Sequence, residues 1–432
     1  MTARERLAAR RKLVGLSQQD LGEALGVHPQ TVAAWEQGRA TPRPWYRALL
    51  AQALRVDMEE VERLLAPEPG AGTSRAAPVM SMATGWDEAS AVRLADATTS
   101  DERVQVGVDA AVRLVHEWLV VEPPQSVELR AGRRVGARLA AATAGRVDWL
   151  RHLDDYLAGA DLEAAVGREL TVTSAVVRDA SYSDVVGRQL LGALGDLCQL
   201  AGWVAVDAGR DRRACHLYAI GLSAAHAAGD APLAGQLVSS LAYLLASRGR
   251  SADAVLLAES AVAGCRSEAT ATTRALFLER VAWAHARMGA RGATEEALGG
   301  VEEAFARRTP SDDPPWTYWL TPEEIDVMAG RCYVELRLPR RAIPILERSV
   351  AAYDEERPRE AALYLSWLAE AHIQAGDIEQ AALLASQVLD LTHRTASART
   401  VARVRHLCGV LRPHRGGSGV GEFLESARAS AR

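Results

Sequence analysis

An all-α fold in two parts is predicted by three features of the 432-residue chain. Apolar residues recur at helical spacing almost throughout, stretches with the alternation of a strand are nearly absent, and glycines at 209, 249 and 289 mark turns that step by 40 residues. The first two features set the fold class. The third divides the chain into a short helical head and a long body of repeated helix pairs, in keeping with a length that suits two or three domains.

Residues 16–38 read as two short helices around a tight turn. Ser17 can cap the first helix, Asp20 lies three residues on beside its unpaired amides, and Leu21, Ala24 and Leu25 share one face. Gly26 ends that helix. Val27, His28 and Pro29 form the turn, with the proline in the first turn of the next helix, where a missing N–H costs nothing. Val32 and Trp35 make the inward face, while Gln30, Ala33, Ala34 and Gln37 line the other with short or amide side chains. Such a face can lie close to base edges, and a glutamine bonding an adenine through two hydrogen bonds contributes about 1–3 kcal/mol of discrimination. The first 47 residues hold eight basic and four acidic residues, a net +4 on a chain of net −5, which leaves −9 on the remainder. A basic head on an acidic body suits contact with phosphates at one end only. The rival reading, a small helical bundle that binds protein, does not call for that asymmetry.

Residues 11–22 (Arg-Lys-Leu-Val-Gly-Leu-Ser-Gln-Gln-Asp-Leu-Gly) and 35–42 (Trp-Glu-Gln-Gly-Arg-Ala-Thr-Pro) resemble the lambda-repressor-like, XRE-type helix-turn-helix domain, and the resemblance spans residues 1–66. It implies a five-helix bundle bound to double-stranded DNA and a structural ion pair between Arg11 and Glu36. It also implies backbone contacts from Gln18, Arg39 and Arg43. Pro29 and the two alanines depart from the glutamine-rich versions of the family, so Gln30 stands as the clear base reader, with His28, Thr31 and Gln37 as its helpers. Much of the sequence preference is then expected to pass through DNA shape.

Composition excludes several other classes. An apolar content of 48% with 5% aromatics is that of a globular helical protein. No apolar stretch is expected to reach the length of a membrane span, and the charged N-terminus has no signal-peptide core, so a cytoplasmic location is expected. Cys198, Cys215, Cys265, Cys332 and Cys408 stand singly, as buried thiols do in a reducing compartment. The chain shows no phosphate-cradling glycine loop, no Gly-x-Ser-x-Gly and no His-x-x-x-His, and a helix would point the neighbours Cys215 and His216 apart. No enzyme activity, cofactor or metal is expected, and His226, His285 and His372 read as core or rim residues. Lys12 is the single lysine and asparagine is absent, the bias of a GC-rich genome.

Residues 67–85 have no periodicity and read as a flexible linker. Helices are expected at 101–120, 127–142 and 147–157, broken by Pro123-Pro124 and by Thr143-Ala144-Gly145, in a helical region (86–186) that leads into the repeats. From 187 onward the order of small pair, bulky residue, turn glycine, alanine and aromatic recurs. Ala201, Gly202, Trp203 and Gly209 are followed by Ala214, Tyr218 and Leu222. Ala242 to Gly249 with Ala254, Ala282 to Gly289, and Ala369 to Gly376 with Ala381 and Ala385 repeat that order, and a degenerate copy runs from Gly330 through Leu338 and Ala342. This is the tetratricopeptide order, stretched from the usual ~34 residues to 40, which calls for longer helices or loops. A curved solenoid with a concave side follows over 187–432, closed by a capping helix near 421–429.

Residues 182–190, 200–210 and 312–320, with Trp86 and 98–101, resemble actinobacterial XRE-type regulators that carry a tetratricopeptide body. That resemblance implies regulation of antibiotic production or development. A homodimer is expected, because one such head offers few phosphate contacts.

Trp203, Tyr243 and Trp283 each sit one residue beyond the small residue of successive repeats, a position that faces the groove in tetratricopeptide geometry. With Gln199, Gln236, Ser239, Glu279 and Arg331 beside them, they suit an extended peptide or a flat apolar small molecule, or else pack as core. Trp316, Tyr318 and Trp319 either pin a long connection or cover the groove. The architecture also resembles Gram-positive pheromone-receptor regulators, whose groove asparagines have no counterpart here. Two readings stand: a sequence-selective transcriptional regulator whose body dimerises and senses a ligand, peptide or protein, and an interaction scaffold with a vestigial DNA-binding head. On the first reading, Gln30→Ala relaxes base preference by about 1–3 kcal/mol while Arg43→Ala weakens all sequences alike. Footprints on matched and scrambled sites distinguish the two, and an unchanged preference in Gln30→Ala excludes direct readout there.

Overall fold

A computed structural model describes residues 5–36, 40, 42, 44–54, 56, 61, 64–65, 82, 85–100, 105–156, 160–265, 267–351, 357–395 and 397–430. The chain divides into two compact units, Met1–Ala77 and Pro78–Arg432.

In the head, α1 (Glu5–Leu13), α2 (Gln18–Leu25), α3 (Pro29–Glu36) and α4 (Pro44–Leu54) surround Leu7, Leu21, Val32, Trp35, Leu50 and Leu54. Val61, Leu64 and Leu65 complete that core. The fifth helix implied by the family resemblance would fall where only these last three residues are described. Local signals start and stop the elements. Ser17 Oγ accepts from the Asp20 amide at 3.1 Å, and the Asp20 carboxylate accepts from the Ser17 amide at 2.7 Å, a reciprocal capping box. Gly26 ends α2 in the left-handed region at φ 67°. Gly22 permits the turn itself, since a Cβ there would stand 2.7 Å from the Val27 carbonyl oxygen and 3.3 Å from the Pro29 nitrogen.

The body begins with α5 (Glu88–Thr98), α6 (Val108–Val120), α7 (Ala137–Leu153) and α8 (Ala160–Asp179). Here the sequence-based expectation needs correction. The helix expected at 101–120 starts at Val108, and Thr143-Ala144-Gly145 lies inside the continuous α7. Thr143 returns its hydroxyl to the Leu139 carbonyl at 3.0 Å, and one glycine inside a helix costs only about 1 kcal/mol. Residues 127–136 are not helical. Arg133–Arg134 (β1) pairs in parallel with Ala180–Ser181 (β2), and Leu129 bridges Tyr182.

Helices then succeed one another to the end: α9 (Asp184–Asp207), α10 (Asp211–Ala228), α11 (Ala231–Ser247), α12 (Ser251–Gly264), α13 (Ala271–Arg287) and α14 (Arg291–Ala306). After two short 3-10 turns come α15 (Pro322–Glu335), α16 (Pro339–Ala351), α17 (Pro358–Ala375), α18 (Ile378–His393), α19 (Ala398–Leu411) and α20 (Val420–Ser430). From α9 to α18 each odd-numbered helix packs most closely on the even-numbered helix that follows it. The odd-numbered helices also touch one another in order, α9 to α11 to α13 to α15 to α17 to α19, and α19 returns to α9. They form an inner ring. Helices of 14 to 18 residues from α10 to α14 account for the 40-residue step.

Turns after the inner helices share a left-handed residue: Gly209 (φ 75°), Gly249 (80°), Gly289 (74°) and Gly376 (85°), with Arg337 (58°) taking that place after α15. Arginine adopts that region at a cost that glycine avoids, which explains why this copy is the degenerate one in sequence.

Within the region 86–186, α7 and α8 share a core with α9, centred on Leu150, Val166, Leu190 and Leu194. One further expectation changes. Asp184–Asp207 is long and apolar enough to span a membrane, contrary to the expectation that no stretch approaches that length. Most of its apolar window is buried against neighbouring helices, as in the core helix of a packed domain.

Candidate functional site

In the head, α3 presents Gln30 fully outward with Thr31, Ala33 and Ala34 half-buried beside it, while Val32 and Trp35 face the core. His28 lies exposed immediately before the helix, and its Nδ1 accepts from the Gln30 amide at 3.3 Å. It therefore caps the helix that carries Gln30. Arg11 and Glu36 are both buried and meet at 2.6 Å (Nε to Oε1), with a second contact at 3.3 Å. Arg11 Nη1 also donates to the Leu16 carbonyl at 2.7 Å, tying α1 to the entrance of α2 and the end of α3. Gln18, placed at a phosphate by the family resemblance, uses its amide nitrogen on Glu36 Oε2 at 2.6 Å. Gln37, Arg39 and Arg43 lie outside the described residues.

In the body, the inner ring encloses a cavity of about 550 Å³. Gln199, Trp203, Gln236, Tyr243, Glu279, Trp283 and Arg331 all line it, whereas Ser239 is fully buried and does not. Helical geometry brings them there. Positions seven, four and three residues before the ladder residue and four after it share the inward face with it. The rings stack in sequence: Trp203 to Tyr243 at 5.8 Å, Tyr243 to Trp283 at 6.3 Å, and Trp283 edge-on to Trp367 at 5.6 Å. Trp203 and Tyr243 are half-buried, but Trp283 is only 2% exposed, so the ladder is partly wall and partly core. In the 314–320 segment Trp316 is buried as a pin, while Tyr318 and Trp319 join the lining. Tyr318 donates to Asp155 at 3.0 Å and stacks on His152 at 4.2 Å.

Sequence reasoning named Arg331 but missed the other arginines. Arg403 lies 3.8 Å from the Trp367 ring centre, Arg399 4.7 Å from Trp203, and Arg280 4.9 Å from Tyr243. Arg331 stands over three rings, Trp283 at 4.5 Å, Trp367 at 5.2 Å and Tyr243 at 5.5 Å. Most of these cations have carboxylates: Arg399 with Asp207 at 2.7 Å, Arg403 with Glu370 at 2.7 Å, Arg287 with Glu335 at 2.6 Å, and Arg151 with Asp196. Arg359 reaches Asp154 at 3.1 Å. Arg280 has a looser contact, 3.4 Å to Glu279. Arg331 has no carboxylate within 4 Å among the described residues; its Nη2 donates to the Tyr243 hydroxyl at 2.9 Å and its Nε has no partner.

The carboxyl groups respond to this environment in opposite ways. Burial pushes Glu324 up to about 7, helped by Glu279 and Glu360 and opposed by Tyr364 and Arg331. Burial also raises Glu279, against the pull of Arg280 and Arg331. For Glu370, burial is outweighed by His406 and Arg403, which hold it at about 2. Burial likewise works to raise the Tyr243 phenol, but Arg331, Arg399 and Arg280 together keep it below its usual value.

Comparison with known proteins bears on the head. Residues 7–61 match the helix-turn-helix family model, over the same α1 to α4 and the start of the next segment. The match supports an XRE-type helix-turn-helix, and with it a DNA-binding transcriptional regulator in general. No curated protein matches the chain.

Two outcomes test the cavity's construction. Trp283→Ala costs about 3–5 kcal/mol, as for a large buried side chain, whereas Trp203→Ala costs about 1–2 kcal/mol, part of the value of full burial. Thermal unfolding of both variants checks this, and equal losses would contradict the split. Glu324 binds its proton more tightly folded than unfolded. Its contribution to stability is complete below the ordinary value of 4.5 and is lost as pH rises through about 7. The melting temperature of Glu324→Gln therefore gains on the parent between pH 5 and 8, and parallel profiles would disprove the assignment.

Proposed function

We propose that the protein is a sequence-selective transcriptional regulator whose body is a tetratricopeptide-like solenoid closed into a ring, and that the ring holds a small molecule that modulates DNA binding. The observation that carries this is the aromatic-walled cavity, open on one side, with a guanidinium that has no carboxylate within 4 Å among the described residues, in the same chain as a helix-turn-helix match. A cavity of about 550 Å³ falls within the ~300–1,000 Å³ of small-molecule sites and is too small for a folded partner. The five helix-pair turns in the left-handed region support the repeat reading of the body. Two copies are proposed to act together, so that two α3 helices meet half-sites about 34 Å apart or a multiple of it. The resemblance to actinobacterial regulators points to genes of secondary metabolism or development as targets.

Selection of full-length protein on a pool of randomised duplexes tests this reading. The expected outcome is enrichment of a two-fold site, bound with an affinity that falls steeply with salt, by a particle of twice the 46.4 kDa chain mass in light scattering. A monomer without enrichment would favour the interaction scaffold.

A further inference from the structure

The ligand class can be read from what the cavity has already satisfied and what it has not. Aromatic boxes commonly take cations. This one is already occupied by the protein's own: Arg331 among Tyr243, Trp283 and Trp367, Arg399 on Trp203, and Arg403 on Trp367. A cationic ligand would meet like charge at Trp203, Tyr243, Trp283, Trp319 and Trp367. An anion meets the opposite situation, because among the described residues Arg331 alone of the ring-stacked arginines that line the cavity has no carboxylate within 4 Å. Its Nη1 makes no hydrogen bond among the described residues, and its Nε is a buried donor without an acceptor. Nearby, the indole Nε1 of Trp283 is a second orphaned donor on a side chain only 2% exposed. Buried donors without acceptors cost free energy that a carboxylate supplied by a ligand can recover.

The number of charges is also constrained. Of the lining guanidiniums only Arg331 and the exposed Arg337 have no carboxylate within 4 Å among the described residues, so a ligand held away from solvent finds a single unmatched charge, at Arg331. Between these charged side chains the lining presents flat ring surfaces. Trp203 and Tyr243 stack at 5.8 Å and are half-buried, and Trp319 is half-buried among the lining residues, offering broad ring faces with little free rotation.

We propose that the cavity binds a planar aromatic monocarboxylate, with its carboxylate on Arg331 and its ring system against Trp203, Tyr243 and Trp319. This rests on the reading of the body as a small-molecule sensor and adds the chemical class of what it senses.

Calorimetric titration of the full-length chain with four probes tests it: 2-naphthoate, its neutral amide 2-naphthamide, the cation 2-naphthylmethylammonium, and hexanoate. The expected result is saturable binding of 2-naphthoate, at least 10-fold weaker binding of the amide, and none of the ammonium. Hexanoate, which has the charge without the ring, should bind at least 10-fold more weakly than 2-naphthoate. Arg331→Gln should remove the preference for naphthoate over the amide, and Trp203→Leu should weaken both aromatic probes while leaving that preference. Because the charge series is read on the unaltered protein, it stands even if Arg331→Gln fails to fold. Equal affinity for naphthoate and the amide, or tighter binding of the ammonium, overturns the ligand class while leaving a small-molecule sensor intact. Failure of all four probes at millimolar concentration overturns the ligand class, without touching the sensing role or the DNA-binding result.

Discussion

A buried carboxylate at the end of α9, Asp207, accepts from Arg399 Nε at 2.7 Å and from Ser397 Oγ at 2.6 Å, and Arg359 approaches to 3.6 Å. These partners come from α17, α19 and the cap of α19, so one side chain joins the first inner helix to the last two. Burial works to raise the pKa of Asp207, but Arg399, Arg359 and Ser397 outweigh it and keep the carboxyl below its ordinary range. A buried charge with several partners contributes little net stability when intact, but losing one partner commonly costs about 3–5 kcal/mol. Asp207 therefore acts mainly on geometry. The curvature of the inner ring, the distance across the cavity and the stacking of Arg399 on Trp203 all depend on that junction.

Much of this was legible in the sequence because it is local. Ser17, Asp20, Gly26 and Pro29 specify the turn of the head through caps and φ values that neighbouring residues decide. The turn glycines marked the helix pairs for the same reason, and the ladder of Trp203, Tyr243 and Trp283 followed from a fixed offset behind them. The same offset in the next two copies is occupied by Arg331 and Glu370, and the position seven residues earlier by Glu324 in the first of these, as it is by Gln236 before Tyr243. Following it through every copy would have exposed the charged half of the lining. Other features were not legible, because they depend on contacts between distant segments. Arg359 reaches Asp154 across 205 residues, and the pairing of 133–134 with 180–181 replaced an expected helix. Gln18 illustrates a third limit: a family role assigned by position does not reveal that Glu36 lies within 2.6 Å of its amide.

Charge is distributed to opposite purposes in the two units. Residues 1–77 carry net +2 and residues 78–432 net −7, yet the cavity of the acidic body is lined by arginines stacked on rings. Guanidinium groups tolerate this better than ammonium groups would, being planar, weakly hydrated and able to stack while they donate. The near-absence of lysine, whatever its genomic origin, suits such an interior. An acidic exterior also discourages the body from lying on phosphates, so that DNA contact is left to the head.

Return of α19 to α9 has a consequence for cooperativity. In an open array each repeat is supported only by its neighbours, and the terminal members fray first. A ring has no terminal inner helix: every one is flanked on both sides, and loosening any of them must break two neighbour contacts at once. At the junction of α9 and α19 such loosening must also separate Asp207 from Arg399 and Ser397, so the seam that closes the ring is held by a buried charge. The contact that closes the ring and the contact that fixes Arg399 against the Trp203 ring are then one and the same.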